Sequence, residues 1–257
     1  MTATLYIAAK APRVGLAKTR LGRSIGPESA VALYKAFLQD LAARFADAPF
    51  ECGWYLTPPD AWPEMAPLIA PGRETRVLFQ GEGDWTERQR GLFRGAARRG
   101  EDKVVLAASD SPHIPIEVVA RAFDKLDRRD LVLGPTFDGG YYLIGMRHRA
   151  VRRDILRSVP MSTDTVLDHI TTRAMRAGLS VGWVEATFDV DEAEDLEHLR
   201  QAAFAGSDLQ ATRAVLEKVG LLGNGRHATM EPDETQTIAV GSAMRPVALA
   251  STKEESK

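Results

Sequence analysis

One cysteine, Cys52, is all the chain has, so an intramolecular disulfide and a multi-cysteine zinc site are both excluded and a reducing compartment is expected. Charge of one sign is lacking too: 33 lysines and arginines stand against 35 aspartates and glutamates, a net of -2. Such a chain has no global basic field with which to hold a nucleic-acid backbone or an anionic membrane. No run approaches the ~20 uninterrupted apolar residues of a membrane span. The first apolar stretch, ending at Ala9, is also short for a signal-peptide core, which makes the cytoplasm the expected location. Internal repeats, a P-loop and a GxGxxG fingerprint are absent, and Ser109, Ser111 and Ser162 sit in no GxSxG elbow. The five histidines, His113, His148, His169, His198 and His227, are too scattered for a zinc set, and each reads as a surface or capping residue.

What is present is the alternation of short apolar runs with stretches of helical period over 257 residues, 44% of them hydrophobic. That pattern predicts an α/β protein, a parallel sheet covered by helices on both faces. Strands are expected at Leu5 to Ala9, Phe50 to Leu56, Arg76 to Phe79, Lys103 to Ala108, Leu131 to Gly134, Tyr141 to Met146 and Ser180 to Glu185. KVVLAA, Lys103 to Ala108, is apolar almost throughout and suits a central strand buried on both faces. Helices are expected at Glu28 to Phe45, Trp85 to Arg98, Ile116 to Leu126, Arg149 to Arg157 and Thr163 to Ala177, then from Glu192 and from Leu209. Lys10 to Pro27 reads as a polar loop, and the prolines at 58, 59, 63, 67 and 71 rule out one long helix between the second and third strands. After Leu222 the periodicity stops, so one domain is expected over 1–222 and a disordered tail over 223–257.

Three segments carry candidate chemistry. Lys10, Arg13, Lys18 and Arg20 put four cations into eleven residues directly after the first strand, with Gly15 allowing close backbone approach. This is either a polyphosphate cradle or a solvated basic loop. Asp110, in Ser-Asp-Ser-Pro at the exit of the central strand, can hold Mg2+ or Mn2+, or else it or Ser111 caps the next helix. A metal bridging phosphates calls for a second carboxylate, and Phe188-Asp189-Val190-Asp191 lies after another strand. Asp191 and Glu194 stand at capping-box spacing, whereas Asp189 has no such structural use. The third segment, Gly134 to Gly145, contains Asp138-Gly139-Gly140-Tyr141, which reads as a ligand-facing turn or simply as a hairpin. Arg147, Arg149, Arg152, Arg153 and Arg157 read as the solvated face of a helix, with a grip on an anionic acceptor or a lipid headgroup as the alternative.

Taken together, KAPRVGLAKTRL, DSP, GPTFDGGYYLIG, STDTVL and DVDEAEDL resemble a bacterial glycosyltransferase-A-like family of unknown function. Its members are often labelled arsenosugar-biosynthesis-type glycosyltransferases. The resemblance runs from about Leu5 to about Leu199. More distantly, Lys18-Thr19-Arg20-Leu21 with Asp110 and Asp191 is similar to the phospholactate and molybdopterin guanylyltransferases. The resemblance implies a nucleotide-diphospho-sugar transferase (GT-A) fold, a three-layer α/β/α sandwich around a mixed, mostly parallel sheet. It implies a nucleotide site of Ala9, Lys10, Pro12, Gly15, Lys18, Arg20, Gln80 and Asp110. A divalent metal, Mg2+ or Mn2+, would lie on Asp110, Asp191 and Asp189, and an acceptor side would be formed by Asp138, Gly139, Gly140 and Tyr141. Lys18 and Asp138 are the implied catalytic pair. Trp85, where a Leu-Gly pair is usual, and Met161, where a tryptophan is usual, are departures near the acceptor side.

Three activities stand as alternatives. In glycosyl transfer from a nucleotide-diphospho-sugar to a small-molecule acceptor, the metal neutralises the leaving diphosphate. In nucleotidyl transfer a phosphorylated acceptor displaces pyrophosphate from a nucleoside triphosphate. The third is a non-catalytic nucleotide-binding module. Glycosyl transfer is the favoured expectation. A nucleotide or nucleotide-sugar and a small acceptor are the expected partners, without nucleic acid, and a homodimer is compatible with the sequence.

Overall fold

The computed structural model describes residues 2–221 apart from 73, 162 and 207. Ser162 and the segment 223–257 expected as a tail lie outside the described residues. Seven strands form one sheet: β1 Ala3–Lys10, β2 Glu51–Thr57, β3 Arg76–Phe79, β4 Lys103–Ala108, β5 Leu131–Pro135, β6 Tyr141–Arg147 and β7 Val181–Trp183. Their order is β3-β2-β1-β4-β6-β5-β7. Every pairing is parallel except those of β6, which runs antiparallel to both β4 and β5. The reversal of β6 puts its start, at Tyr141, on the same sheet edge as the ends of β1 and β4.

Strand parity sorts the core into two layers. Leu5, Ile7, Trp54, Leu56, Val105, Ala107, Val132 and Leu143 bury on one face. There they meet the apolar sides of α2 (Pro27–Arg44), α3 (Trp62–Ile69), α5 (Ile116–Leu126), α8 (Asp195–Phe204) and α9 (Gln210–Lys218). Their neighbours Tyr6, Tyr55, Val104, Leu106, Leu131, Leu133 and Ile144 bury on the other face against α4 (Trp85–Arg98) and α7 (Val166–Arg176). Because successive side chains of a strand point to opposite faces, a strand covered on both sides must be apolar at every position. Val104 to Ala107, the fully buried part of β4, meet that requirement, and the result is a three-layer α/β/α sandwich. Among the described residues no helix is long and apolar enough to cross a membrane.

Several expected elements are corrected. The stretch Lys10 to Pro27 is not all loop: Thr19–Ile25 forms a helix, α1, which buries Leu21 and Gly22. A Cβ on Gly22 would stand 3.3 Å from Pro27 Cα, so glycine lets this short helix sit against the start of α2. The proline-rich connection contains α3, with Pro63 in its first turn where a missing N–H costs nothing and Pro67 further in. The arginine-rich helix expected over 149–157 is the short α6, His148–Val151, since Asp154 and Ser158 adopt left-handed φ of 50° and 53°. Arg149, Arg152, Arg153 and Arg157 are solvent-exposed as expected, but the helix ends at Val151 and they do not form one helical face. Arg149 Nε pairs with Asp130 at 2.6 Å, and Arg147 donates to the Asp127 carbonyl at 3.2 Å. The last strand shortens to three residues because β5 is its one neighbour among the described strands.

Candidate active site

Where β1 and β4 end and β6 begins, a cleft of about 620 Å³ opens. This is the edge at which open α/β sheets bind ligands, and the volume suits a small organic molecule. Its wall includes Ala9, Lys10, Lys18, Arg20, Gln80, Asp110, Asp138, Gly140, Tyr141, Asp189 and Asp191, so residues up to 182 positions apart in sequence meet there. Pro12, Gly15 and Gly139, expected in the nucleotide and acceptor sets, do not line it. Gly15 has a left-handed φ of 80° with open space around its Cα, which shows a turn requirement but no wall position. Arg13 is turned away to Glu64 and Asp60, its Nε donating to Glu64 at 2.7 Å, so one of the four cations of the first loop is engaged elsewhere.

Lys18, among the lining residues, is the most heavily paired of the cations. Its side chain is 2% exposed, and Nζ touches Asp110 Oδ1, donates to the Val190 carbonyl at 2.7 Å and to Asp191 Oδ1 at 3.0 Å. The rings of Tyr34 and Phe37 approach to 5.7 and 5.8 Å, close enough for the ammonium to be attracted to their faces. Burial pulls the Lys18 pKa down, but Asp110 and Asp191 outweigh that and hold it above the ordinary lysine value. Asp191 behaves as the mirror image. Burial raises its pKa, and the charges of Lys18 and Arg20 bring it below the usual carboxylate range. Arg20 contacts Asp191 Oδ2 and reaches Glu192 at 3.0 Å. A backbone bond of 2.9 Å from Val190 N to the Asp110 carbonyl ties the 188–191 segment to the end of β4.

Neither capping alternative holds. The N-cap position of α5 is Pro115, without a side-chain cap, so Asp110 and Ser111 are not capping it. At α8 it is Asp195 whose Oδ2 accepts from the amides of Asp191 and Glu192, both at 2.8 Å, which leaves the Asp191 carboxylate to Lys18 and Arg20. Asp189 pairs with no cation among the described residues. Burial first, then repulsion from Asp191, Asp138 and Asp110, pushes its carboxyl up to about 6. Among the described residues no group of three His, Cys, Asp or Glu side chains gathers for a metal. The donor chemistry nevertheless fits a hard cation, since two carboxylates already converge on one positive charge, that of Lys18.

The DGG segment is the β5–β6 hairpin turn, and it also forms wall. Asp138 Oδ1 accepts from Thr136 Oγ1 and, at 3.0 Å, from Gly140 N. Gly139 has φ of 88°, and a Cβ there would lie 2.1 Å from the Asp164 carbonyl oxygen, so this turn seats directly on the 163–165 segment. Beyond it the Tyr141 hydroxyl bonds with the Gln89 amide, 2.9 Å to Oε1, and lies 3.8 Å from Met161 Sδ. Trp85, Arg88, Thr163 and Asp164 complete that half of the cleft. Gln80 is buried, donating to the Tyr55 carbonyl at 2.9 Å. Arg88 donates to Gln80 Oε1 at 3.3 Å and to the Gly83 carbonyl at 3.0 Å.

Comparison with known proteins bears on this arrangement. A solved protein from Desulfovibrio desulfuricans G20, provisionally named a nucleotide-diphospho-sugar transferase, is 32% identical with a TM-score of 0.78, over 85% of this chain and 95% of that one. Residues 40–163 match the model of a family described as uncharacterized proteins conserved in bacteria, DUF2064. The chain belongs to the DUF2064 family. The fold is shared more widely, with a cytidylyltransferase from Leptospira borgpetersenii (14% identity, 86% of this chain and 95% of that one, TM-score 0.55). A nucleotidyl transferase from Methanothermobacter thermautotroptrophicus is similar as well (15% identity, 78% and 96%, TM-score 0.51). No curated protein sequence matches this DUF2064 chain.

Several wall residues of this DUF2064 protein carry no usable signal in sequence. Tyr34, whose hydroxyl meets Ser109 Oγ at 2.8 Å and accepts from Lys10 N at 3.0 Å, hides in the apolar stripe of α2. Burial raises its pKa. Gln89, fully buried in α4, is detectable only as a polar residue on an apolar helical face. His113 is not a surface or capping residue: it stacks on Phe188 at 3.9 Å between centroids, and burial lowers its pKa to about 4.

Proposed function

We propose that this protein is a metal-dependent glycosyltransferase that takes a nucleotide-diphospho-sugar and a small-molecule acceptor into the cleft. The observation that carries the reading is the meeting of Lys18, Asp110 and Asp191 at the ends of β1 and β4, beside a second half that includes Trp85, Gln89 and Tyr141. A flat aromatic side chain next to paired hydrogen-bonding groups suits a sugar ring, which presents both apolar faces and hydroxyls. The D. desulfuricans relative bears a nucleotide-diphospho-sugar transferase name, which agrees with this choice.

Charge also argues for a divalent ion. Lys18 and Arg20 are already paired with Asp110, Asp191 and Glu192, which leaves Lys10 and Arg88 as the lining cations without an acidic partner among the described residues, and a divalent ion would add to them against a diphosphate. Asp110 and Asp191 would hold Mg2+ or Mn2+, and that ion, when bound, neutralises charge on the leaving diphosphate. Lys10 and Gln80 line the nucleotide side, and Lys18 supplies a positive charge for a phosphate oxygen. On the acceptor side Asp138, fixed by Thr136 and Gly140, takes the proton of the attacking hydroxyl as the bond to the sugar carbon forms and the bond to the diphosphate breaks.

Nucleotidyl transfer is the second reading, favoured by Lys18 itself. A buried ammonium at the mouth of a parallel sheet suits charge developing on an α-phosphate as pyrophosphate leaves. Calorimetric titration with nucleotide-sugars and nucleoside triphosphates in Mg2+, followed by a pyrophosphate-release assay, separates the two. Binding and turnover of a nucleotide-sugar to the nucleoside diphosphate, with no pyrophosphate from any triphosphate, is the expected result. Pyrophosphate release without nucleotide-sugar turnover establishes the second reading in its place, and silence with both classes overturns both.

A further inference from the structure

We infer that Lys18 is the site's resident cation, and that a divalent ion reaches Asp110 and Asp191 by exchange with its ammonium. This rests on the reading of those two carboxylates as the metal's ligands. Lys18 does not merely lie near them. All three N–H bonds of its ammonium have acceptors, in Asp110, Asp191 and the Val190 carbonyl, and two aromatic rings flank it. The side chain is 2% exposed although Asp110 and Asp191 are 39% and 30% exposed, so the acids face the cleft while the ammonium plugs the space behind them. A Mg2+ ion needs several oxygen ligands at short range and is repelled by an ammonium held on the same carboxylates. Asp191 gives Oδ1 to Lys18 and Oδ2 to Arg20, and Asp110 meets Lys18 through Oδ1, so an ion set between the two acids takes the place that the ammonium holds.

The backbone points the same way. Lys18 holds φ 51° and ψ 40°, a left-handed conformation that lysine adopts at a cost, at the N-cap position of α1 and without a side-chain cap. The residue is thus kept in place by its side-chain contacts, and the helix start does not require it. Once displaced, the ammonium remains on the cleft wall, where a phosphate oxygen is the natural acceptor for it. Metal binding would then free a cation for the nucleotide while nucleotide binding would draw that cation away from the metal's ligands. The two ligands are therefore coupled favourably, and the coupling is reciprocal. Arg20 plays a lesser part: it shares Asp191 with Lys18 but is 57% exposed and has Glu192 as a second partner.

The test is Mn2+ binding alone, without nucleotide, monitored by electron paramagnetic resonance on the full chain. Lys18→Met frees both carboxylates while keeping the apolar stem, and it is expected to bind Mn2+ at least tenfold more tightly than wild type. Lys18→Arg, which keeps the charge, should stay within a few-fold of wild type. In a second arm, Mn2+ should tighten binding of a nucleoside diphosphate by a larger factor in wild type than in Lys18→Met. Equal or weaker Mn2+ affinity in a folded Lys18→Met protein overturns the inference, as does failure of both proteins to bind Mn2+. Tighter Mn2+ binding in the variant with no nucleotide binding to either protein leaves the exchange standing and removes the transferase reading. If Lys18→Met does not fold, nitrogen-15 spectra of the wild-type lysine ammonium groups decide. Loss of a slowly exchanging buried signal on adding Mg2+ supports exchange, and its persistence in Mg2+-bound protein refutes it.

Discussion

Replacing Asp189 by asparagine should stabilise the protein at alkaline pH and progressively less as the pH falls. Asp189 sits in the cleft wall without a cation partner among the described residues, and burial together with Asp191, Asp138 and Asp110 moves its carboxyl from 3.8 to about 6. Because the folded value is the higher one, the folded state holds this proton more tightly than the unfolded chain does. Folding therefore carries a penalty that is full above pH 6, shrinks as pH falls through 6, and is gone below 3.8. Each pH unit between the two values corresponds to about 1.4 kcal/mol, which gives an upper bound of about 3 kcal/mol. Solvent screening of a partly exposed carboxylate brings this to about 1.5 kcal/mol. Asparagine is neutral throughout, so urea unfolding in the presence of a chelator should show the variant more stable by about that amount near pH 8, with roughly half the gain near pH 5. The corresponding rise in Tm near pH 8 is about 3–6 °C. A gain independent of pH would mean that asparagine packs better and that charge is irrelevant, and a loss near pH 8 would show that the carboxylate has a partner in the folded protein.

Gly139→Ala should cost roughly 2–4 kcal/mol in urea unfolding, because the new Cβ meets the Asp164 carbonyl at 2.1 Å on a backbone of φ 88°. Tyr142→Phe removes a 2.8 Å bond to the Glu185 carbonyl and should cost about 1 kcal/mol by the same assay. Asp110→Asn should abolish metal-dependent nucleotide binding in calorimetry while circular dichroism stays that of wild type, since Lys18 keeps Asp191 and the Val190 carbonyl. Unchanged titration would remove Asp110 from the metal site. Gln89→Leu, which strips Tyr141 of its partner, should raise the acceptor KM at least tenfold and leave donor affinity within twofold, and an equal loss of both would merge the two halves of the cleft into one.

How much of the fold is legible in the sequence depends on how local the cause is. Ile116 to Leu126 reads as a helix with the bounds it has, because Val118, Val119, Ala122, Phe123 and Leu126 give an unbroken helical stripe. KVVLAA is legible as a central strand because burial on both faces leaves no room for a polar residue between Val104 and Ala107. Thr19–Ile25 is not legible, since one buried leucine among basic residues makes no stripe and its packing depends on Gly22 against Pro27. The arginine-rich stretch after β6 misleads for a related reason: Arg90 and Arg94 of α4 hold Asp154, 64 and 60 residues away, in a turn that local composition does not favour.

The site divides along the same line. Strand ends on one sheet edge must lie near one another once the strand order is set, so Asp110, Asp138, Asp189 and Asp191 can be expected together from their places after predicted strands. What occupies the space between them cannot. Lys18 is 172 residues from Val190 and 173 from Asp191, and it reaches both by way of a left-handed backbone that nothing in Ala-Lys-Thr announces. Sequence alone sets the basic loop and the acidic strand ends as two opposed sides of a site awaiting a nucleotide. Instead the fold joins Lys18 and Arg20 to the acids, so a polyphosphate meets Lys10 and Arg88 unpaired but must compete with Asp110 and Asp191 for Lys18 or bring its own cation. A charge pattern in sequence shows which groups a site contains, but their pairing decides what the site still needs from its ligand.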